Sequence, residues 1–139
     1  MTPTEIKEHY KAHDYSVIAY TDHDIMFDHA NLNDGDFLAL TGHEVETYGS
    51  PTSAYSNTTP TYHLNFYSPM PDQMDYICPN PKYAWGHACK IAKTQPYYKG
   101  NHNRIYSVEG QNEMIAEART KGYLVSYNHP DWSTQSYPD

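Results

Sequence analysis

Short apolar runs separated by polar turns set the pattern of this chain and predict strands. The first covers residues 15–21, where Val, Ile and Tyr side chains are typical of a buried strand. Further apolar runs predict strands over residues 36–41, 62–67 and 123–127. Ionisable residues follow the first, second and last of these runs, so a parallel arrangement would gather polar side chains at one rim of a sheet.

Helix signals lie between the predicted strands. A capping box with proline at the first helical position predicts a helix over residues 3–13. A second helix is predicted over residues 109–121, because apolar residues recur on one face and Gly122 can form the carboxyl cap. A third is predicted over residues 81–94. This alternation of helices and strands indicates an α/β fold with parallel strands.

Two stretches lack a regular pattern. Residues 47–61 are rich in Ser, Thr, Asn and Pro and predict a surface loop. Residues 68–106 are interrupted by several prolines and read as irregular apart from the predicted helix. We therefore predict one domain over residues 1–139 with a loop-rich insertion and an irregular segment.

Length and charge exclude several classes of protein. The chain has 139 residues, which is one domain's worth and short of the roughly 250 residues of a complete eight-stranded α/β barrel. A net charge of -8 argues against a stable nucleic-acid complex. No window approaches the roughly 20 apolar residues of a membrane span and no signal peptide is recognisable, so we predict a cytoplasmic protein. Cys78 and Cys89 are then expected to be reduced, incidental thiols.

Nine histidines justify a search for a metal site. The candidate ligands adjoin or lie in predicted strands: His23, Glu44, His63 and His129. A mixed set of imidazoles and a carboxylate suits zinc, manganese or iron better than calcium or copper. A carboxylate can bridge two ions, and two ions can activate water and clamp a phosphoryl group. The pattern therefore predicts metal-assisted hydrolysis of a phosphate ester.

Other polar residues compete for a place in this site. Glu46 competes with Glu44, since both point the same way if the strand continues, whereas His43 should face away. The remaining candidates are expected to be solvated or structural. They are His9 and His13 on the first helix, Asp24, Asp28 and His29 in a loop, His87, and Lys99, His102 and Arg104. The alternatives are zinc binding by the two helix histidines, entry of the three loop residues into the cleft, and a phosphate-contacting patch formed by the last three residues.

Several motifs, in this order, resemble the PHP (polymerase and histidinol phosphatase) domain family. They are Glu5 to His13, Val17 to His23, Gly42-His43-Glu44, His63-Leu64-Asn65 and Asn128-His129-Pro130. The resemblance implies a distorted seven-stranded α/β barrel, a (β/α)7 TIM-like barrel with parallel strands and metal ligands at their carboxyl ends. It also implies two or three metal ions and hydrolysis of phosphate esters.

The resemblance assigns roles to individual residues. His23 would bind one ion, and His63 and His129 would surround another that Glu44 bridges to the first. Asp22 would orient ligands or water. The expected catalytic residues are thus Asp22, His23, Glu44 and His129.

Two departures from the family pattern qualify this expectation. The family usually opens with a strand carrying His-x-His and closes with Asp-x-His, and this chain carries neither motif. The resemblance therefore implies the middle of a PHP domain, an incomplete barrel acting on a nucleotide or a small phosphorylated metabolite. The alternatives are a metal-binding regulatory pseudoenzyme without turnover, and a metal hydrolase of the amidohydrolase type.

Overall fold

The computed structural model describes residues 1–49, 60–84, 90–91, 94–96 and 98–131. Its helices and strands follow one another as α1 (Pro3–Lys11), β1 (Val17–Tyr20), β2 (Leu38–Tyr48), β3 (Thr61–Tyr67), α2 (Val108–Thr120) and β4 (Leu124–Tyr127), with 3₁₀ turns at Ala30–Leu32 and Pro81–Tyr83. Within these ranges, no helix is both long and apolar enough to cross a membrane.

The described strands form one mixed sheet in the order β1-β2-β3-β4. Strands β1 and β2 are parallel, whereas β3 runs antiparallel to both β2 and β4. These four strands do not close on themselves, so the predicted incomplete (β/α)7 TIM-like barrel with parallel strands is wrong. The reason is that β3 follows β2 in the opposite direction across residues 49–60, and antiparallel neighbours need no crossover helix.

Strand β2 is longer than its apolar run indicates. The strand predicted over residues 36–41 continues as far as Tyr48. The polar residues after position 41 are of the kind that often follows a strand, and for this reason the sequence predicts an earlier end. Gly42 lies inside it, where an added Cβ would meet the Phe66 carbonyl oxygen at 2.7 Å, so only glycine allows this close approach of β3. Glu44 consequently lies within a strand and not beyond its end.

Both long helices form where the sequence predicts them. The predicted capping box at Thr2 is present, and α1 ends at Lys11, two residues before the predicted end. Helix α2 begins at Val108, and Gly122 follows its end with φ +82°, a conformation that glycine tolerates. The third predicted helix starts with the turn Pro81–Tyr83, and most of its remainder lies outside the described residues, as does most of the predicted loop 47–61.

Strand β2 has two buried faces with different contents. Its odd-numbered residues face the helices: Ala39 packs in a cluster that includes Ile6 of α1, and Val45 packs in a cluster that includes Met114 of α2. Its even-numbered residues Glu44 and Glu46 point to the opposite face, because successive strand residues alternate. We call the first the core face and the second the acidic face.

Candidate metal centre

Strand register brings histidines onto the acidic face next to both glutamates. Glu46 lies directly opposite His63 in the antiparallel pair β2-β3. His23, three residues beyond β1, forms an isolated parallel bridge with Glu44. Asn128, just after β4, donates its backbone N–H to the His63 carbonyl oxygen at 2.9 Å, which places His129 nearby. Residues that are distant in sequence therefore meet through strand pairing.

The side chains of this cluster are in direct contact. His23 Nδ1 lies 2.7 Å from Glu46 Oε1, and His63 Nδ1 lies 2.8 Å from Glu44 Oε1. His129 Nε2 lies 3.5 Å from the same Glu44 oxygen. His23 Nε2 is 3.9 Å from Glu44 Oε2, so both carboxylates belong to a single connected cluster.

Burial differs between the two sides of this cluster. The side chains of Glu44, Glu46 and His63 are 7%, 5% and 2% exposed, whereas those of His23 and His129 are 46% and 39% exposed. The carboxylates and His63 thus form a floor, and the other two imidazoles form a rim open to solvent. A small molecule can approach from the rim.

Electrostatics keep the carboxylates ionised. Although burial raises the pKa of Glu46, the contacts with His23 and with the Tyr48 hydroxyl lower it below its ordinary value. Burial likewise raises the pKa of Glu44. The hydrogen bond with His63 and the charge of His23 lower this pKa by more, so that it lies below its ordinary value. The hydrogen bond with Glu46 raises the pKa of His23. Ionised carboxylates are the form that binds a cation.

These residues fit a divalent metal ion. Two groups of three have ligand atoms that all lie within 4.8 Å of one another: His23, Glu46 and His63, and Glu44, His63 and His129. Imidazole and carboxylate ligands suit zinc, manganese and iron. The two groups overlap at His63, and one imidazole nitrogen takes one ion. The carboxylates, with two oxygens each, are the residues that can join a second ion to the first.

A buried ion pair between Arg104 and Asp24 adjoins the cluster. Arg104 Nη2 lies 2.5 Å from Asp24 Oδ1, and both side chains are almost fully buried. Arg104 Nη1 donates to the backbone carbonyl of Glu46 at 3.0 Å, and the guanidinium lies over the Tyr83 ring. Asp24 adopts φ +57°, which is uncommon for a residue other than glycine. The pair thereby links the backbone after His23 to the strand that carries Glu46.

The loop and patch expectations for these polar residues need correction. Asp24 and His29 are buried, so their prediction as solvated loop residues is wrong, whereas Asp28 is exposed as predicted. Arg104 is neither a solvated loop residue, as predicted, nor part of an exposed phosphate patch, because its side chain is buried and paired with Asp24. His43 faces away as predicted and lies buried against Tyr76.

Glu46 and Asn128 belong to the site, although the sequence indicates their roles only in part. The period of a strand puts Glu46 on the same face as Glu44, and the structure brings both residues into the cluster. In the sequence Asn128 is only part of the motif Asn128-His129-Pro130, but its side-chain amide donates to Glu44 Oε1 at 3.1 Å. Asp22 lines a groove beside Ile6 of α1, and its catalytic role remains a prediction.

Comparisons of this chain with protein-family models, with curated proteins and with solved structures found no match.

Proposed function

We propose that this protein is a metal-dependent hydrolase that cleaves phosphate esters. The observation that carries the proposal is the pair of three-ligand groups that overlap at His63 on the acidic face. The site combines ionised, buried carboxylates with two half-exposed imidazoles. The proposal does not require a closed barrel, because the ligands converge through strand register.

Each residue of the cluster has a role in holding a manganese, zinc or iron ion. Glu44, Glu46 and His63 supply buried ligands, and His23 and His129 supply ligands at the rim. The amide of Asn128 holds Glu44 in place by its hydrogen bond. When bound, such an ion lowers the pKa of a coordinated water and offsets charge on a phosphoryl oxygen.

The rim directs a substrate toward the floor of the site. A phosphate ester that enters between His23 and His129 reaches an ion that these imidazoles and the carboxylates beneath them would hold. The ion is needed to receive the phosphate, since the chain carries a net charge of -8. The resemblance to PHP domains favours a nucleotide or a small phosphorylated metabolite as substrate, with the cytoplasm as the predicted compartment.

The test combines metal analysis with turnover. The purified chain is stripped with a chelator, reloaded separately with Mn²⁺, Zn²⁺ or Fe²⁺, and assayed with p-nitrophenyl phosphate and its diester. We expect bound metal and hydrolysis, and loss of both in His63→Ala. His9→Ala, on the exposed face of α1, is the matched control and should retain both.

Three outcomes would overturn the proposal. Bound metal without turnover of any phosphate ester would favour the regulatory pseudoenzyme. Hydrolysis of cyclic amides without hydrolysis of phosphate esters would favour an amidohydrolase-type reaction. Failure of the wild-type chain to bind any of the three metals would remove the metal centre itself.

A further inference from the structure

A second group of metal-binding side chains lies away from the acidic face. Cys78, His102 and Glu117 have ligand atoms that all lie within 4.8 Å of one another. They come from three separate parts of the chain, namely two distant positions in the irregular segment and helix α2. Cys78 belongs to the core cluster that also contains Val45 and Met114, so this group lies on the helix side of the sheet.

Cys78 and Glu117 make two contacts with each other. The Cys78 backbone N–H donates to Glu117 Oε1 at 3.1 Å, and Cys78 Sγ lies 3.0 Å from Glu117 Oε2. Cys78 has φ +47°, a left-handed backbone conformation that residues other than glycine, asparagine and aspartate rarely adopt. That backbone conformation lets the N–H and the sulfur reach the same carboxylate. Backbone conformations of this kind are common at active sites and ligand-binding sites.

Lys121 contacts one of the two oxygens of the Glu117 carboxylate. Lys121 Nζ lies 2.7 Å from Glu117 Oε1 and donates to the Tyr76 carbonyl oxygen at 3.0 Å. The other oxygen, Oε2, faces the sulfur. Oε2 is therefore the ligand atom that remains directed toward Cys78.

His102 is held beside Cys78 by the neighbouring backbone. The side-chain amide of Asn80 donates to the His102 carbonyl oxygen at 2.8 Å, and the His102 N–H donates to the Pro79 carbonyl oxygen at 3.4 Å. Gly100 lies against Pro79 so closely that a Cβ would collide with its carbonyl oxygen. Residues 79–80 and 100–102 are thus brought together by contacts that involve none of the three ligand atoms.

The surroundings of the thiol disfavour a role as nucleophile. Burial, followed by the hydrogen bond to Glu117, raises the pKa of the Cys78 thiol. A nucleophilic cysteine needs a stabilised thiolate, whereas here the charges of Lys121 and Arg104 lower the pKa by less than burial and Glu117 raise it. A carboxylate beside a thiol instead suits a divalent cation, which replaces the thiol proton and is attracted by the carboxylate.

We propose that Cys78, His102 and Glu117 bind one zinc ion that fastens the irregular segment to helix α2. Thiolate, imidazole and carboxylate are all zinc ligands, and zinc takes four of them, so water completes the site. On binding, the sulfur–metal bond forms as the thiol proton passes to solvent. This zinc is distinct from the metal at His63, which has no sulfur ligand among the described residues.

Cobalt distinguishes the two sites, because only a thiolate ligand gives sulfur-to-cobalt charge-transfer absorption in the near ultraviolet. The full chain is stripped of metal and titrated with Co²⁺. We expect this absorption in the wild type and in His63→Ala, and its loss in Cys78→Ser. Cys89→Ser is the matched thiol control and should retain the absorption.

Zinc content and melting provide a second readout. Zinc should raise the midpoint of thermal unfolding by more in Cys89→Ser than in Cys78→Ser, in which only the site at His63 remains, and the zinc content of Cys78→Ser should fall by one ion per chain. If circular dichroism shows that Cys78→Ser does not fold, His102→Ala replaces it in the test, since that variant leaves the thiol and its contact with the Glu117 carboxylate in place. Absence of the charge-transfer absorption in the wild type, or its persistence in Cys78→Ser or in a folded His102→Ala, would overturn the zinc site. None of these outcomes depends on hydrolytic activity, so the phosphoesterase proposal is tested separately.

Discussion

The two faces of strands β2 and β3 are equally buried but contain opposite chemistry. On the core face, Val45, Leu64 and Phe66 pack against α2. On the acidic face, Glu44 and Glu46 are buried next to histidines. Burial of an ionised carboxylate is unfavourable unless it is paired, whereas burial of an apolar side chain is favourable by itself. The core face therefore stabilises the fold by itself, whereas burial of the two glutamates depends on their contacts with histidines, an arrangement that we propose serves metal binding.

Two histidines illustrate the same contrast. His43 lies on the core face, stacked on Tyr76, and burial lowers its pKa to about 3. His23 lies on the acidic face, where the hydrogen bond with Glu46 raises its pKa. The residue type is the same in both places. The face of the sheet decides whether the imidazole serves as a neutral packing group or as a partner of a carboxylate.

Substitution on the acidic face should remove function more than stability. Glu46→Gln keeps the size of the side chain but removes a charged ligand, so we expect metal affinity and phosphate-ester hydrolysis to fall by more than about 100-fold. Isothermal titration with Mn²⁺ and the turnover assay measure these losses. Glu109→Gln, on the exposed side of α2, is the control. An unchanged metal affinity in Glu46→Gln would contradict the assignment of this face.

Substitution on the core face should have the reverse effect. Phe66 is fully buried, and Phe66→Ala should lower the free energy of unfolding by about 3–5 kcal/mol through lost burial and a cavity. Metal bound per folded chain should be unchanged. Urea unfolding and metal analysis of the folded fraction check both statements, with Phe66→Leu as the milder variant. Loss of metal from folded Phe66→Ala would mean that the two faces are not independent.

The ion pair of Asp24 and Arg104 sharpens the comparison, because it joins a buried charge to the acidic face. Arg104→Met leaves the Asp24 carboxylate buried without its partner, and we expect a loss of about 3–5 kcal/mol in the free energy of unfolding. Asp24→Asn combined with Arg104→Met should restore part of that loss, since no unpaired charge remains. A double variant no more stable than Arg104→Met would show that lost packing, and not the unpaired charge, causes the effect.

Local signals in the sequence predicted the elements better than their arrangement. The capping box at Thr2 and the glycine at 122 locate helix ends because both act on adjacent backbone groups. The direction of β3 was not predictable, since alternation of side chains reads the same in parallel and antiparallel strands. This is why the expected barrel was wrong. The predicted ligands His23, Glu44, His63 and His129 nevertheless lie in one connected cluster.

The supporting residues of the site were less accessible from sequence. Arg104 lies in the irregular segment, and nothing near it in sequence indicates that it reaches Asp24 and the Glu46 backbone. Cys78 and His102 also have no spacing that indicates a shared site. Contacts of this kind arise from tertiary packing of a segment without periodicity, and periodicity is the main signal that a single sequence offers.

The pH dependence of stability provides the finest test of the contrast between His43 and His23. His43 stays neutral when folded because its pKa is about 3 against an ordinary 6.5. Below pH 6.5 the His43 imidazole therefore binds a proton in the unfolded chain but not in the folded chain. The contribution of His43 is fully present above that pH and should be lost at about 1.4 kcal/mol per pH unit on acidification toward pH 3.

His43→Phe isolates this contribution, since phenylalanine retains a ring beside Tyr76 but does not titrate. Urea unfolding of both proteins at pH 6.5 and pH 5 should show that the variant loses about 1.6 kcal/mol less than the wild type over this interval, since the unfolded imidazole is already half protonated at pH 6.5. His23 shifts in the opposite direction and stabilises the fold on acidification, but it is present in both proteins and cancels in the comparison. Equal losses in the two proteins would mean that His43 takes up a proton while folded, and the core face would then tolerate a charge as the acidic face does.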